Sequence, residues 1–247
     1  MTITAWAPTI ILERDTAAWR PHLLKGEAAG HEFRGNQWVE GESGPEHPNL
    51  ATSHDDAIAR LHTVEQPKLS ASNRGWLDRY TGEEYGELND ALRTSDKEAE
   101  WELGNGKMQS AEQMTAKLDP IVNCGRTTEP MTVVRVIHDD DFHPTTNGTY
   151  TDSAFISTSA DPDIINDVYL KQGSTWDAYI DLPVGTIGVS VPDAISVTTE
   201  SEFILPRDSM FHVDSIDESA RVAHLTWIGV ASTSTFTVPN DKPVTRK

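Results

Sequence analysis

The stretch Glu200-Ser201-Glu202-Phe203-Ile204-Leu205-Pro206 sets two carboxylates two residues apart at the head of an apolar run. Read as a strand from Glu200 to Leu205, it alternates its side chains between two faces. Glu200 and Glu202 then share one face, about 7 Å apart along the chain, and Ser201 takes the other. Two carboxylates on one site suit glycosidic-bond chemistry, in which one stabilises an oxocarbenium-like centre and the other handles the incoming nucleophile. An exposed polar strand edge would show the same pattern, so the pair alone does not choose between the two.

Working outward toward the N-terminus, Phe155-Ile156-Ser157-Thr158-Ser159 reads as a short strand ending in three hydroxyl residues, with Asp161-Pro162 as the turn beyond it. Further upstream, Val133-Val134-Arg135-Val136-Ile137 places one cation in an otherwise apolar strand. A guanidinium there needs an anionic partner, and either a structural ion pair or a bound phosphate satisfies that need.

The surrounding pattern is helical first and strand-rich afterwards. Tyr80-Thr81-Gly82-Glu83-Glu84-Tyr85 carries a capping-box signature, with Thr81 as the cap, Glu84 returning the bond and Tyr80 stapling onto Tyr85. Tyr85, Leu88 and Leu92 then line one helical face, and a second helix over residues 108–122 carries Met114, Leu118 and Val122 on one stripe. Runs at 131–137, 154–157, 178–182, 186–191, 200–205, 211–216 and 222–230 read as strands separated by Pro, Gly, Asn and Asp. A helical block followed by a strand block predicts an α+β fold, helices lying against a split, mostly antiparallel sandwich.

Residues 1–66 read as a Gly-rich extension, and residues 67–247 as the main domain. Within the extension, His31-Glu32-Phe33-Arg34-Gly35-Asn36-Gln37-Trp38-Val39 reads as a docking peptide or an irregular exposed turn. No ligand spacing there matches a metal site; His138-Asp139-Asp140-Asp141-Phe142-His143 could attract a divalent ion but reads as a solvated charge run in the loop after a strand, and no metal is assigned. The 247 residues hold 39 acidic and 20 basic side chains, a net charge of −19. Such a chain lacks the basic stripe that a nucleic-acid backbone demands and favours basic protein partners. Its one cysteine, Cys124, excludes an intramolecular disulfide framework. Neither a secretory leader in the first 20 residues nor an apolar run of about 18 residues is present, so no membrane association is expected.

The order of Arg135, then Ser157-Thr158-Ser159, then Glu200-x-Glu202 resembles the ADP-ribosyltransferase family of the R-S-E type. Context over residues 70–217 is similar too: Tyr85, Asn89, Leu92 and Arg93 upstream, Ala178 to Thr186 between the second and third motifs, and Leu205-Pro206-Arg207-Asp208 leading to Phe211-His212-Val213. The resemblance implies a mono-ADP-ribosyltransferase that binds NAD in a cleft between two small sheets and needs no metal. On that resemblance Arg135 holds the NAD phosphate and ribose, Ser157 positions Glu202, and Thr158 and Ser159 support the strand. Glu202 binds the nicotinamide ribose and stabilises the oxocarbenium, while Glu200 orients and helps deprotonate the acceptor. A glutamate at 200 implies transfer to arginine of a host protein.

The chain departs from many relatives at Val134, where an aromatic is common, and at Ala154, where glycine is common. The segment 161–173 would lie over nicotinamide and offers Tyr169 as a stacking ring but no arginine. Gly30-His31-Glu32-Phe33-Arg34-Gly35-Asn36-Gln37 is similar to a motif of bacteriophage head-associated proteins, which implies a phage-encoded enzyme in the virion or the host bacterial cytoplasm. Two rival outcomes stay open at this point: NAD glycohydrolysis with water as acceptor, and an inactive binding module of a phage head.

Overall fold

A computed structural model of the protein describes residues 31–34, 37–40, 47–96, 99–103, 107–139, 142, 147–166, 175–191 and 201–231. Strands β1 (His31–Arg34) and β2 (Gln37–Glu40) pair antiparallel with Phe33 opposite Trp38. The irregular turn expected here is thus a hairpin; Gly35-Asn36 between two four-residue runs is a two-residue hairpin signal.

Helix α1 (His54–Leu61) starts at Ser53, whose side chain accepts the Asp56 N–H at 3.2 Å. Helix α2 (Ala71–Arg79) runs into a π-type turn, Tyr80–Glu84, that breaks at Gly82 before helix α3 (Tyr85–Arg93) begins. Thr81 does not cap α3 as its sequence suggests. Its hydroxyl donates back to Asp78 O at 3.2 Å, because the chain reaches Thr81 already helical. Tyr80 does meet Tyr85 edge-on, with centroids 6.3 Å apart, and Leu88 is fully buried.

Strands β3 (Glu100–Leu103) and β4 (Lys107–Ser110) form a hairpin, and helix α4 (Ala111–Val122) follows. Met108 therefore lies on a strand, exposed, rather than opening the helix. Ser110 and Gln113 form the capping box that sets the true start. Met114, Leu118 and Val122 are buried as their spacing predicts.

The main sheet holds β5 (Met131–His138), β6 (Thr149–Asp152), β7 (Ile156–Ser159), β8 (Thr175–Leu182), β9 (Val189–Ser190), β10 (Glu202–Leu205), β11 (Ser209–Asp217) and β12 (Val222–Val230). Their order is β6-β11-β12-β8-β5-β7-β10-β9, antiparallel except for the parallel β12–β8 pair. β5 meets β7 at Val134 and Ser159, so the sheet narrows there and divides into a larger and a smaller part. The α+β architecture with helices on a mostly antiparallel sheet is as expected. Strand β6 went unread because two of its four residues are exposed threonines.

Two cores follow from this division. One takes Val133, Ile137, Ala178, Ile180, Phe211 and Leu225 from the larger part, together with Ile156, Phe203 and Leu205 from the smaller. The other packs Leu77, Tyr80, Leu88, Met114 and Leu118 against Phe155, Val189 and Ile204. β10 is thus buried on both faces, which fixes its register strongly. The first core also includes Ala51, Ala57, Leu61 and Val64, and Leu50 and Glu65 bridge to Thr132 and Arg126. It therefore draws on both sides of the boundary read at Gln66. No helix among the described residues is long and apolar enough to cross a membrane.

On the larger part of the sheet, the rings of His47, Tyr179 and His224 stack, His47 lying 4.7 Å from each of the others. Burial, with the neighbouring His47, pushes the His224 pKa below its ordinary value. Its neutral form is the one the fold favours, so this stability is present above the unfolded pKa of about 6.5 and is lost as pH falls through the lower, folded value.

Two measurements check these assignments. Leu61→Ala should cost about 2–5 kcal/mol in denaturant unfolding, since it leaves a cavity under α1. Melting temperature should fall as pH is lowered from 7 to 5, and His224→Phe, which keeps a ring in the stack, should flatten that fall.

Candidate active site

The narrowing between β5 and β7 gathers the residues singled out in the sequence. Arg135 lies one residue past the Val134–Ser159 contact and donates from Nη1 to Ser157 O at 3.0 Å. The cation in the apolar strand therefore meets the carbonyl of the Ser-Thr-Ser strand directly. Ser157 is paired with Ile204 across β7–β10, and its Oγ donates diagonally to Glu202 Oε1. Glu202 is 5% exposed, and its backbone carbonyl accepts the Val191 N–H at 3.0 Å. A buried carboxylate is stable only with such partners, and a hydroxyl-to-carboxylate bond is among the stronger kinds.

The other two hydroxyls serve the frame. Thr158 Oγ1 donates to Phe203 O at 2.7 Å, a second tie between β7 and β10. Ser159 Oγ accepts the Asp161 N–H at 3.0 Å and so shapes the turn out of β7. Beyond β10, Arg207 grips Asp119 of α4 through two bonds of 2.9 and 3.0 Å, anchoring the far end of the strand. Gly188 is close beneath: a Cβ there would stand 2.8 Å from Ile204 O and inside the Phe203 ring.

Arg135, Ser157, Thr158, Ser159 and Glu202 are thus brought together, whereas Glu200 and Tyr169 lie outside the described residues. One expectation needs correction. β10 begins at Glu202, and Ser201 before it has φ of +49°. A left-handed residue interrupts strand alternation, so the strand read from Glu200 to Leu205 starts at Glu202.

Several site residues escaped the sequence reading or entered it only as context. Tyr80 is buried; its hydroxyl donates to Phe155 O at 3.3 Å and accepts from Asn89 Nδ2 at 3.2 Å. Burial raises its pKa well above the ordinary value, and the Glu202 charge adds to this against the opposing pull of Asn89, Arg135 and Arg93. The phenol stays protonated. Arg93, on the last turn of α3, holds Asp152 through bonds of 3.2 and 3.0 Å, which ties α3 to the strand preceding β7. Its place four residues after Asn89 and eight after Tyr85 was the available signal. Chemically, the cluster offers a guanidinium suited to an anion beside a buried, oriented carboxylate suited to a developing cation.

The sequence pattern of the ADP-ribosyltransferase exoenzyme family matches residues 59–232. Among solved structures, the chain is similar to Plx2a, an ADP-ribosyltransferase toxin from Paenibacillus larvae, at 15% identity over 71% of this chain and 93% of Plx2a, with a TM-score of 0.51. It is also similar to C3stau2 from S. aureus, solved with NAD, at 13% identity over 77% and 100% of the two chains, with a TM-score of 0.51. The ADP-ribosyltransferase Vis, solved with agmatine, matches at 13% identity over 80% and 92%, with a TM-score of 0.52. At these identities the likeness is one of fold. No curated protein matches the chain in sequence. With a family match spanning α2 to β12 and a fold shared with these toxins, the chain belongs to the ADP-ribosyltransferase exoenzyme family, whose reaction draws ADP-ribose from NAD.

Proposed function

We propose that the protein is a mono-ADP-ribosyltransferase of the R-S-E type that transfers ADP-ribose from NAD to arginine side chains of target proteins. The hydrogen bond from Ser157 to Glu202 carries this reading, because the residue that orients the buried carboxylate also holds the Arg135 guanidinium on its carbonyl. Arg135, held by one N–H on Ser157 O, presents its fork to the NAD diphosphate and ribose. Glu202 accepts a hydrogen bond from the nicotinamide ribose. As the N-glycosidic bond breaks, its electron pair leaves with nicotinamide, and the carboxylate stabilises the positive charge that develops on the ribose. Thr158 and Ser159 keep β7 and the following turn in place, and Tyr169 stacks on nicotinamide.

The acceptor guanidinium attacks C1′ of that ribose and must lose a proton to do so; Glu200 orients it and takes the proton. A glutamate at 200 supports arginine as the acceptor, and the net charge of −19 supports attraction of basic targets. The octapeptide Gly30 to Gln37 supports a bacteriophage source, with host bacterial proteins as the targets.

Incubation with labelled NAD and agmatine, a small guanidine, separates the two carboxylates. Glu202→Ala should lower nicotinamide release by about 100-fold or more with or without acceptor. Glu200→Ala should keep release in water and lose transfer to agmatine by at least about 10-fold. Equal loss of both activities in Glu200→Ala would contradict the division of roles, and nicotinamide release with no labelled acceptor in the wild type would make the protein a glycohydrolase.

Gly188→Ala should reduce release and melting temperature together, since the added methyl group displaces the strand bearing Glu202; an unchanged Tm would show that the strand yields freely.

A further inference from the structure

Helix α1 opens at His54, a residue outside every motif above, and its imidazole lies between the two chain segments that flank Glu202. Nδ1 is 2.8 Å from Asp161 Oδ2 and 3.4 Å from Ser201 Oγ. Asp161 lies two residues beyond Ser159, gives its N–H to Ser159 Oγ, and accepts the Asp163 N–H on Oδ1 at 3.0 Å. Because the shorter contact is to a carboxylate, which can only accept, Nδ1 carries the proton and donates it to Asp161, with Ser201 Oγ as the longer, second acceptor of the same N–H.

Ser201 is the residue immediately before Glu202. It is 2% exposed, stands at φ +49°, and accepts the Ala160 N–H on its carbonyl at 3.0 Å. A serine in the left-handed region persists only where its surroundings over-determine it. Here the surroundings are Ala160 on its backbone and His54 on its side chain. The His54 side chain itself is 39% exposed, and α1 is fixed in the core by Ala57 and Leu61 instead. Burial is therefore not what the ring contributes.

We propose that His54 is a positioning residue for ADP-ribosyl transfer: with Asp161 it holds Ser201 in its left-handed conformation and so sets the direction in which Glu202 reaches Ser157. The proposal rests on the role assigned to Glu202 above. The backbone torsion at Ser201 decides where the next Cα–Cβ bond points, and a carboxylate aimed about 1 Å away from its productive place loses about 100-fold in rate. His54 thus acts through backbone that is contiguous with the catalytic residue, and it touches no reacting atom.

Nicotinamide release as a function of NAD concentration, with melting temperature, tests this on the full chain as wild type, His54→Ala, His54→Asn and His54→Gln. His54→Ala should lower kcat by about 10- to 100-fold with KM for NAD within about 3-fold, since NAD binding does not involve the ring. In His54→Asn the amide Nδ2 takes the place of Nδ1 and should restore kcat to within about 5-fold of wild type, whereas the longer His54→Gln should not. Melting temperatures of the Asn and Gln variants should agree, which separates positioning from folding and decides the matter even if His54→Ala unfolds. Wild-type kcat in His54→Ala, or equal kcat in the Asn and Gln variants, overturns the positioning role and leaves the enzymatic reading intact. A folded wild type that releases no nicotinamide overturns both.

Discussion

The bond between Ser157 and Glu202 is the constraint on which the rest of the structure depends. A carboxylate 5% exposed is costly unless its oxygens are met by donors, and the fold meets that cost by pairing β10 with β7 in one register. A slip of one residue would turn Glu202 away from Ser157 and drive Phe203 into the wrong core. Several features guard against that slip: the Thr158 bond to Phe203 O, the Arg207–Asp119 clamp at the end of the strand, and the missing Cβ at Gly188. Each is a packing or hydrogen-bond requirement first, and each becomes a catalytic one because the strand carries the carboxylate.

The narrow joint between β5 and β7 explains why the site lies where it does. A sheet that paired fully across this joint would cover the Ser157 carbonyl with backbone; here Arg135 reaches it instead. The same joint lets two cores form, one between the parts of the sheet and one beneath α2 to α4, so β10 is held from both sides. Strands held in one register on either side of this joint suit a reaction whose main demand is preorganised charge. Near the joint, Tyr80 stays neutral and Arg93 is committed to Asp152, leaving the site's polarity to Arg135 and Glu202 as its named charges.

Much of this was legible in the chain. Arg135 could be read because a guanidinium in a run of valines demands a partner, and Glu202 because two carboxylates two residues apart head an apolar run and follow Arg135 and Ser157-Thr158-Ser159 in order. Periodicity found α3 and α4 through Leu88, Met114 and Leu118, all of them buried. Thr81 misled because the capping pattern was complete while the preceding helix had already satisfied that turn, something no local pattern records. Met108 misled because an apolar residue three positions before a helix can be read as the helix start as readily as part of a hairpin strand. Ala154 was read as strand, yet its N–H is turned to Asp152 Oδ1 at 2.9 Å, which delays β7 to Ile156. α1 carried its own signals in Ser53, Asp56, Ala57 and Leu61, but they stood just after a Gly- and Pro-rich stretch and were read with it. His54 had no signal at all, since its partners are 107 and 147 residues away.

A double-mutant cycle in nicotinamide release, with Ser157→Ala, Glu202→Asp and the pair together, tests the central claim most directly. If Ser157 acts through Glu202, shortening the carboxylate already breaks their bond, and the double variant should be no slower than Glu202→Asp within about 3-fold. Losses that multiply would show two independent contributions and would contradict an account in which this one hydrogen bond organises the site.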